Sequence, residues 1–169
     1  MMIVICLALG ALIGELINIE AGMEKFGEWL KYKTKSESDT GFVSAFVNAS
    51  LTVCIGAMAV VGAIQDGIYG DYSILSAKAV LDLIIIMVMT AAQGKGCIFS
   101  AIPVGIFQGL MTVFARALEP VLTTQALNNL SLIGSILIFC VGLNLVWGKK
   151  IKVANLLPSL VLAIFWAFI

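Results

Sequence analysis

Six stretches of mainly apolar residues, separated by short polar segments, dominate the sequence. They cover residues 2–18, 41–64, 74–92, 97–115, 130–147 and 153–169. A helix needs about 20 apolar residues to cross a hydrocarbon core of about 30 Å, and about 17 to 25 are tolerated. Each stretch is close to this length, so the pattern predicts one all-α domain, residues 1–169, built as a transmembrane bundle of about six helices.

The polar segment after the first stretch has a helical pattern of its own. Ile19, Met23, Phe26 and Leu30 recur at helical spacing and share one face, while Glu and Lys residues cover the other. This pattern predicts an amphipathic helix at residues 20–33 that lies on the membrane surface. A docking site for a partner protein is the alternative interpretation of the same helix.

The composition excludes several classes of protein. Hydrophobic residues make up 61% of the chain and charged residues 12%, against about 45–50% and about 25% in a soluble domain. Lipid is therefore the expected solvent. Ten basic and ten acidic residues cancel, which removes the basic surface of a nucleic-acid binder. The chain has no His and no C-x-x-C pair, so we expect no metal, no cofactor and no enzyme.

Lys and Arg are distributed unequally over the five segments that connect the stretches. The first, third and fifth segments hold eight of these residues, and the second and fourth hold one. Cytoplasmic segments carry the excess of basic residues in membrane proteins. We therefore expect the odd segments in the cytoplasm and both chain ends outside.

Charged residues inside the stretches are candidate functional residues, because a charge at membrane depth is costly. Lys78 and Asp82 share one face of the third stretch, and Asp82 is too short to reach the headgroups. The alternative is a local ion pair that only neutralises itself. Gln65 and Asp66 lie at the outer end of the second stretch, where Asp66 can pair with Lys78 or simply form a polar turn.

Neutral amides lie in the second, fourth and sixth stretches, and prolines lie in the fourth and sixth. Asn48, Gln108 and Asn155 can supply hydrogen bonds to a solute. Pro103 and Pro158 predict bent or broken helices, which carriers use to present backbone dipoles to a solute, although membrane helices also tolerate prolines. The candidate substrate-binding residues are therefore Asp82, Lys78, Asp66, Gln65, Asn48, Gln108 and Asn155.

The positions of the glycines support two further predictions. Gly62, Gly67 and the nearby Gly70 predict a break of the second stretch near residues 62–67, since glycine costs about 1 kcal/mol in a helix interior. Two G-x-x-x-G pairs predict close helix contacts: Gly10 with Gly14, and Gly105 with Gly109.

A faint internal similarity links the second and fifth stretches. Asn48 precedes Gly62 by the same interval that separates Asn128 from Gly142. The expected orientation runs these two helices in opposite directions. The spacing is therefore compatible with an inverted repeat.

Several stretches resemble a known family. NASLTVCIGAMAVVGAIQDGIYGD (48–71), LSAKAVLDLI (75–84) and KIKVANLLPSLVLA (150–163), together with the opening segment 10–30, are similar to the uncharacterised YqgA/YdfK-like family of bacterial inner-membrane proteins. The resemblance implies a multi-pass protein of the bacterial plasma membrane, but no substrate. Family members commonly begin with an extra hydrophobic hairpin, which we expect to be missing here.

Two functions fit these observations. The first is a carrier or channel for a small polar solute or ion, supported by the Lys78/Asp82 pair and the neutral amides. The second is a non-transporting assembly factor or a subunit of a larger membrane complex, favoured by the small size and the glycine faces. The expected partners are the lipid bilayer and the solute, with a homo-oligomer compatible with either function.

Overall fold

The protein is a bundle of helices joined by short turns. The computed structural model describes residues 1–168, apart from the side chain of Ala57, so Ile169 of the sixth stretch lies outside the described residues. That part of the chain contains no strand, and the predicted all-α fold is confirmed. The α-helices are α1 (Met2–Ile17), α2 (Ile19–Lys33), α3 (Phe42–Cys54), α4 (Ala57–Tyr69), α5 (Ser73–Gln93), α6 (Ala101–Val113), α7 (Ala115–Leu118), α8 (Thr124–Trp147) and α9 (Pro158–Phe165). The 3₁₀ turns are Lys95–Ser100, Glu119–Val121, Val153–Leu156 and Trp166–Phe168.

Three helical segments are long and apolar enough to cross a membrane: Ser73–Gln93, Lys95–Val113 and Thr124–Trp147. The bent pairs α1 with α2 and α3 with α4 raise the number to five if each pair is one span. Val153–Phe168 is a shorter apolar helix. Length and composition thus account for three to five spans, and this last segment occupies the sixth apolar stretch.

A single residue joins α1 to α2. Asn18 has a left-handed backbone (φ 55°), and the two helices meet there at 50°. The Asn18 N–H donates to the Gly14 carbonyl at 2.7 Å, which caps α1. The Asn18 side chain accepts a bond from the Ala21 N–H, which caps α2. α2 covers the segment predicted as an amphipathic helix, and its apolar side packs on α3 with Leu30 buried.

The second stretch breaks earlier than its glycines predict. α3 ends and α4 begins around Ile55 and Gly56, with a bend of 60°. α4 then continues without interruption to Tyr69. The predicted break near 62–67 is therefore wrong.

The glycines of α4 serve packing instead of breaking the helix. A Cβ on Gly62 would lie 3.0 Å from Leu75 of α5, and a Cβ on Gly67 would lie 2.3 Å from the Thr112 carbonyl oxygen of α6. Such close approaches need a residue without a side chain. The helix ends at Gly70, where φ is +67°, a conformation that favours glycine.

The two G-x-x-x-G pairs have different surroundings. A Cβ on Gly10 would lie 2.6 Å from Ser159, and one on Gly14 would lie 1.8 Å from the Asn155 carbonyl oxygen. This pair therefore lets α1 lie against α9 and the turn Val153–Leu156. Around Gly105 and Gly109 of α6, no atom of the described chain lies within 4 Å of the corresponding Cβ position.

Neither proline interrupts an α-helix. Pro103 lies in the first turn of α6 and Pro158 is the first residue of α9, positions where the missing N–H costs no helical hydrogen bond. The predicted mid-helix bend at Pro103 is therefore wrong. In both stretches a 3₁₀ turn precedes the α-helix, and each turn together with its helix forms one helical segment, Lys95–Val113 and Val153–Phe168.

Candidate functional site

A cavity of about 720 Å³ lies among α2, α3, α5 and α8. It is bounded by the beginnings of α2 and α3 and by the ends of α5 and α8. These helix ends lead into the connecting segments that are predicted to be cytoplasmic. Several of its lining residues are exposed, including Ser44, Ala92 and Lys149, so the cavity is open to its surroundings.

An amide pair lines this cavity. The Asn48 Nδ2 on α3 donates to the Gln93 Oε1 on α5 at 3.2 Å. Asn48 lies on the side of α3 that packs against α5. The Asn48 Oδ1 and the Gln93 Nε2 form no side-chain hydrogen bond among the described residues. The pair can therefore still offer an acceptor and a donor to a ligand.

Three charged side chains form another wall of the cavity. The Lys149 Nζ lies 2.9 Å from Glu20 Oε1 and also contacts Glu24. Glu20 is only 5% exposed, and its second oxygen accepts the Ala154 N–H at 3.0 Å. Partial burial works against the charge on Lys149, but the bonds to Glu24 and Glu20 outweigh it and raise the pKa of Lys149. Lys149 is therefore charged throughout the physiological range.

Asn155 connects the α1–α2 bend to the turn Val153–Leu156. Its Oδ1 accepts the Glu20 N–H at 2.8 Å, and its Nδ2 donates to Glu15 at 2.7 Å. Lys152 also bonds Glu15. Both polar groups of the Asn155 side chain are thus in use, so this predicted solute-binding residue holds the backbone that carries Glu20.

The loop that carries Lys149 is fixed by a second asparagine. The Asn144 Oδ1 accepts the N–H groups of Lys150 and Ile151 at 3.0 Å each, and its Nδ2 donates to the Ile151 carbonyl at 2.7 Å. Gly148, with φ +76°, ends α8 and begins this loop. Asn144 itself lines the cavity, so the loop is anchored at the cavity wall.

Lys78 and Asp82 pair with each other on α5, away from the cavity lining. The Lys78 side chain is 7% exposed and that of Asp82 22% exposed. The pairing of Lys78 with Asp66 considered from the sequence is not formed; the partner of Lys78 is Asp82. The observed contact is the self-neutralising ion pair, with its cation buried rather than extended to the headgroups.

The remaining candidates lie elsewhere in the bundle. Gln65 lines a small cavity of about 90 Å³ together with Glu119. Asp66 follows it on α4, and Gln108 is half-buried on α6. Of the seven residues selected from the sequence, Asn48 is the one that lines the larger cavity within the described chain. The structure therefore does not bring the seven candidate substrate-binding residues together at one cavity.

Sequence reasoning did not select the charged residues of the cavity. Glu20 and Glu24 belong to the polar side of α2, which the pattern assigned to solvent, and Lys149 was counted only for orientation. One signal was present: Glu20 and Lys149 lie in connecting segments that the basic residues place on the same side of the membrane. Opposite charges there are candidates for an ion pair, but nothing in the sequence sets their separation.

Comparison with known proteins gives the family. The family model described as "Protein of unknown function (DUF554)" matches residues 1–168. The uncharacterized membrane protein YdfK of Bacillus subtilis (strain 168) is 32% identical over 159 residues, which cover 94% of this chain and 66% of that protein. The uncharacterized protein YqgA of Escherichia coli (strain K12) is 30% identical over 164 residues, which cover 95% of this chain and 70% of that protein.

The chain thus spans about two thirds of the length of these relatives. No solved structure matches it. The resemblance identified from the sequence motifs is confirmed, and the apolar helices agree with the membrane location in the name of the Bacillus protein. The chain is a membrane protein and belongs to the DUF554 family.

Proposed function

We propose that the protein is a multi-pass protein of the bacterial inner membrane that carries a small polar solute or ion across it. The observation that supports this function is the open cavity with the Asn48–Gln93 amide pair on one wall and charged groups on another. Solutes bind in cavities between helices that hold a few polar groups to orient them. Transport through this cavity accounts for both features.

Two bent helix pairs are the candidate hinges for the movement that a carrier needs. α3 and α4 meet at 60°, and α1 and α2 meet at 50°. The cavity is lined at α3 and α5 by Leu51 and Met89, and Asp82 lies about 10 Å farther along α5 at 1.5 Å per residue. α4 packs on α5, so a rotation of α4 at the Ile55–Gly56 break would change the contacts between these two helices.

The orientation of the protein can be tested by cysteine labelling. The four native cysteines, which form no disulfide, are first replaced by alanine, and a cysteine is placed at the exposed Ser38 before α3. The excess of basic residues on that side predicts that a membrane-impermeant thiol reagent will not reach it in intact cells. A cysteine at the exposed Tyr72, between α4 and α5, is the matched position and should react. The reverse pattern would contradict the orientation.

Transport can be tested with the amide pair. Protein in liposomes is screened for uptake and for currents with inorganic ions, amino acids, amines and organic acids. For a solute that gives a current, Asn48→Leu should lower the transport rate about tenfold at limiting solute, because a lost hydrogen bond in a site costs about 1–2 kcal/mol. Asn128→Leu, at an exposed position of α8, is the matched control and should leave the rate unchanged.

Two results would count against the carrier function. One is a current that is equal in the wild type, Asn48→Leu and Gln93→Leu, since it would not pass through this cavity. The other is the absence of any uptake or current across the full screen in liposomes that hold folded protein.

A second function is favoured by one specific observation. Gly105 and Gly109 form a small-residue face on α6, and no atom of the described chain lies within 4 Å of their Cβ positions. Small residues on membrane helices allow another helix to pack closely, as a non-transporting subunit or assembly factor requires. Gly109→Leu should then reduce the size of the complex extracted from native membranes without unfolding the protein, and an unchanged complex would remove this support.

A further inference from the structure

We infer that the ligand of the cavity carries an ammonium group on a short apolar body, and that Glu24 and Glu20 receive this group. The inference rests on the proposed function, because it names the class of solute for the same cavity. It is carried by the charges that line the cavity, by the position of the Lys149 ammonium, and by the apolar surface opposite to it.

The charges that line the cavity favour a cation. Glu20 and Glu24 contribute two carboxylates and Lys149 one ammonium, which leaves one negative charge in excess. The helix ends at the cavity do not add to this excess, because two helices begin there and two end there, and the partial charges of their ends have opposite signs. The excess carboxylate alone makes the wall formed by Glu24 attract cations and disfavour carboxylates.

Lys149 already shows how an ammonium fits between the two carboxylates. Its Nζ contacts Glu20 and Glu24 together. Glu20 is held in place from behind, by the Ala154 N–H on its carboxylate and by Asn155 on its backbone. The carboxylates are thus arranged for an ammonium before any ligand arrives, which reduces the ordering cost of binding.

Lys149 can give up this position at low cost. Its side chain is 47% exposed, and it stands on a loop directly after Gly148. When a ligand ammonium takes its place, the carboxylates remain paired and Lys149 moves into water without leaving a buried charge unpaired. Lys149 thus acts as a tethered competitor for the ligand.

The rest of the cavity accepts an apolar body. Val43, Val47 and Leu51 line it from α3, and Val88 and Met89 from α5. Burial of each methylene of a ligand against such residues strengthens binding by about fourfold. A short alkyl ammonium therefore matches both the charged wall and the apolar walls, whereas a bare metal ion would use only the first.

The test compares three molecules of nearly the same size that differ in charge. Propylammonium, propionate and propanol are added to the purified protein at neutral pH and constant ionic strength, and thermal unfolding is followed by tryptophan fluorescence. Propylammonium should raise the Tm, and the other two should not. Glu24→Gln should abolish the increase, and because Glu24 is partly exposed, this variant should still fold.

The variant Lys149→Met tests the competition between Lys149 and the ligand directly. Removal of the tethered ammonium should lower the propylammonium concentration that gives half of the Tm increase by about fivefold, since a partly exposed ion pair contributes up to about 1 kcal/mol. Lys150→Met is the matched control, because it removes a lysine from the same loop whose side chain forms no ion pair within residues 1–168. Its half-effect concentration should equal that of the wild type.

The ammonium could come from a free amine or from a lipid headgroup. Short-chain phosphatidylethanolamine, with short-chain phosphatidylcholine as its control, is therefore added in a separate series. Stabilisation by phosphatidylethanolamine that depends on Glu24, without an effect of propylammonium, would assign the site to a lipid ammonium. Stabilisation by propylammonium would assign it to a free amine.

The remaining outcomes overturn the inference. A Tm increase with propionate or propanol that Asn48→Leu removes would replace the ammonium by another class of solute and leave the carrier function standing. No Tm increase with any of the amines or lipids would reject an ammonium ligand. The carrier function fails separately, through the absence of uptake and of current in liposomes.

Discussion

Replacement of Gly14 by alanine is expected to lower the Tm of the purified protein by about 10 °C. A Cβ at this position would lie 1.8 Å from the Asn155 carbonyl oxygen, and a backbone atom cannot move aside as a flexible side chain can. α1 and the turn Val153–Leu156 must then separate, at the cost of about 3 kcal/mol for an overpacked contact. The displaced turn also carries the bonds to Glu20, so the cavity wall should loosen together with the fold.

Gly109→Ala is the matched control for this prediction. The same methyl group would meet no atom of the described chain within 4 Å, and alanine is a better helix former than glycine by about 1 kcal/mol. The Tm of this variant should therefore stay the same or rise slightly, measured by thermal unfolding in the same detergent. An equal loss of stability in both variants would mean that the contact between α1 and Asn155 is not formed.

Replacement of Asp82 by asparagine is expected to lower the Tm by a similar amount. The change leaves the Lys78 ammonium, which is 7% exposed, without its counter-charge. Removal of one partner from a buried ion pair costs about 3–5 kcal/mol, and the partial exposure of Asp82 places the expected cost at the lower end. Glu119→Gln, which neutralises an exposed carboxylate, serves as the control and should leave the Tm nearly unchanged.

The double variant Lys78→Met, Asp82→Asn separates structure from transport. If the two residues only neutralise each other, the neutral pair should restore the Tm to within a few degrees and leave transport intact. If Asp82 also binds the solute or a coupling ion, the double variant should fold but remain inactive. A double variant as unstable as Asp82→Asn alone would show that the instability does not come from the unpaired Lys78.

The sequence predicts the helices well, because each has a strong local signal. The apolar runs of α5 and α8 need no tertiary information, and the spacing of Ile19, Met23 and Leu30 identifies α2 to within a residue. These features depend on the cost of placing polar groups in lipid, which a sequence displays directly. The predicted inverted repeat and the orientation stay predictions.

The break and the site depend on what lies opposite each residue. Gly62 and Gly67 have the composition of a helix break, but Leu75 and the Thr112 carbonyl fill the space beside them. The break occurs at Gly56 instead, where no atom within the described residues lies within 4 Å of the Cβ position. A glycine next to a neighbouring helix and a glycine at a bend look the same in the sequence.

The role of each polar residue in the candidate site also depends on what lies opposite it. The sequence indicates Asn48 and Asn155 as solute-binding residues for the same reason. Asn48 lines the cavity, whereas the Asn155 side chain is hydrogen-bonded to Glu15 and to the Glu20 backbone. Glu20 was assigned to the solvent and is buried, since its partner Lys149 lies far away in the chain. Whether a polar side chain is free to bind a ligand depends on such distant partners.

Asn18, the left-handed residue between α1 and α2, is the point about which α2 can rotate, and it lies at one end of that helix. α2 is 15 residues long, about 22 Å at 1.5 Å per residue. A rotation of 10° about Asn18 would leave Glu20 almost in place, move Glu24 by about 1.5 Å and move Lys33 by about 4 Å, given that rise per residue. The contact of Lys149 with Glu24 would therefore open before its contact with Glu20. A small tilt of α2 would thus change the pairing of Glu24 first, because Glu24 lies farther from Asn18 than Glu20 does.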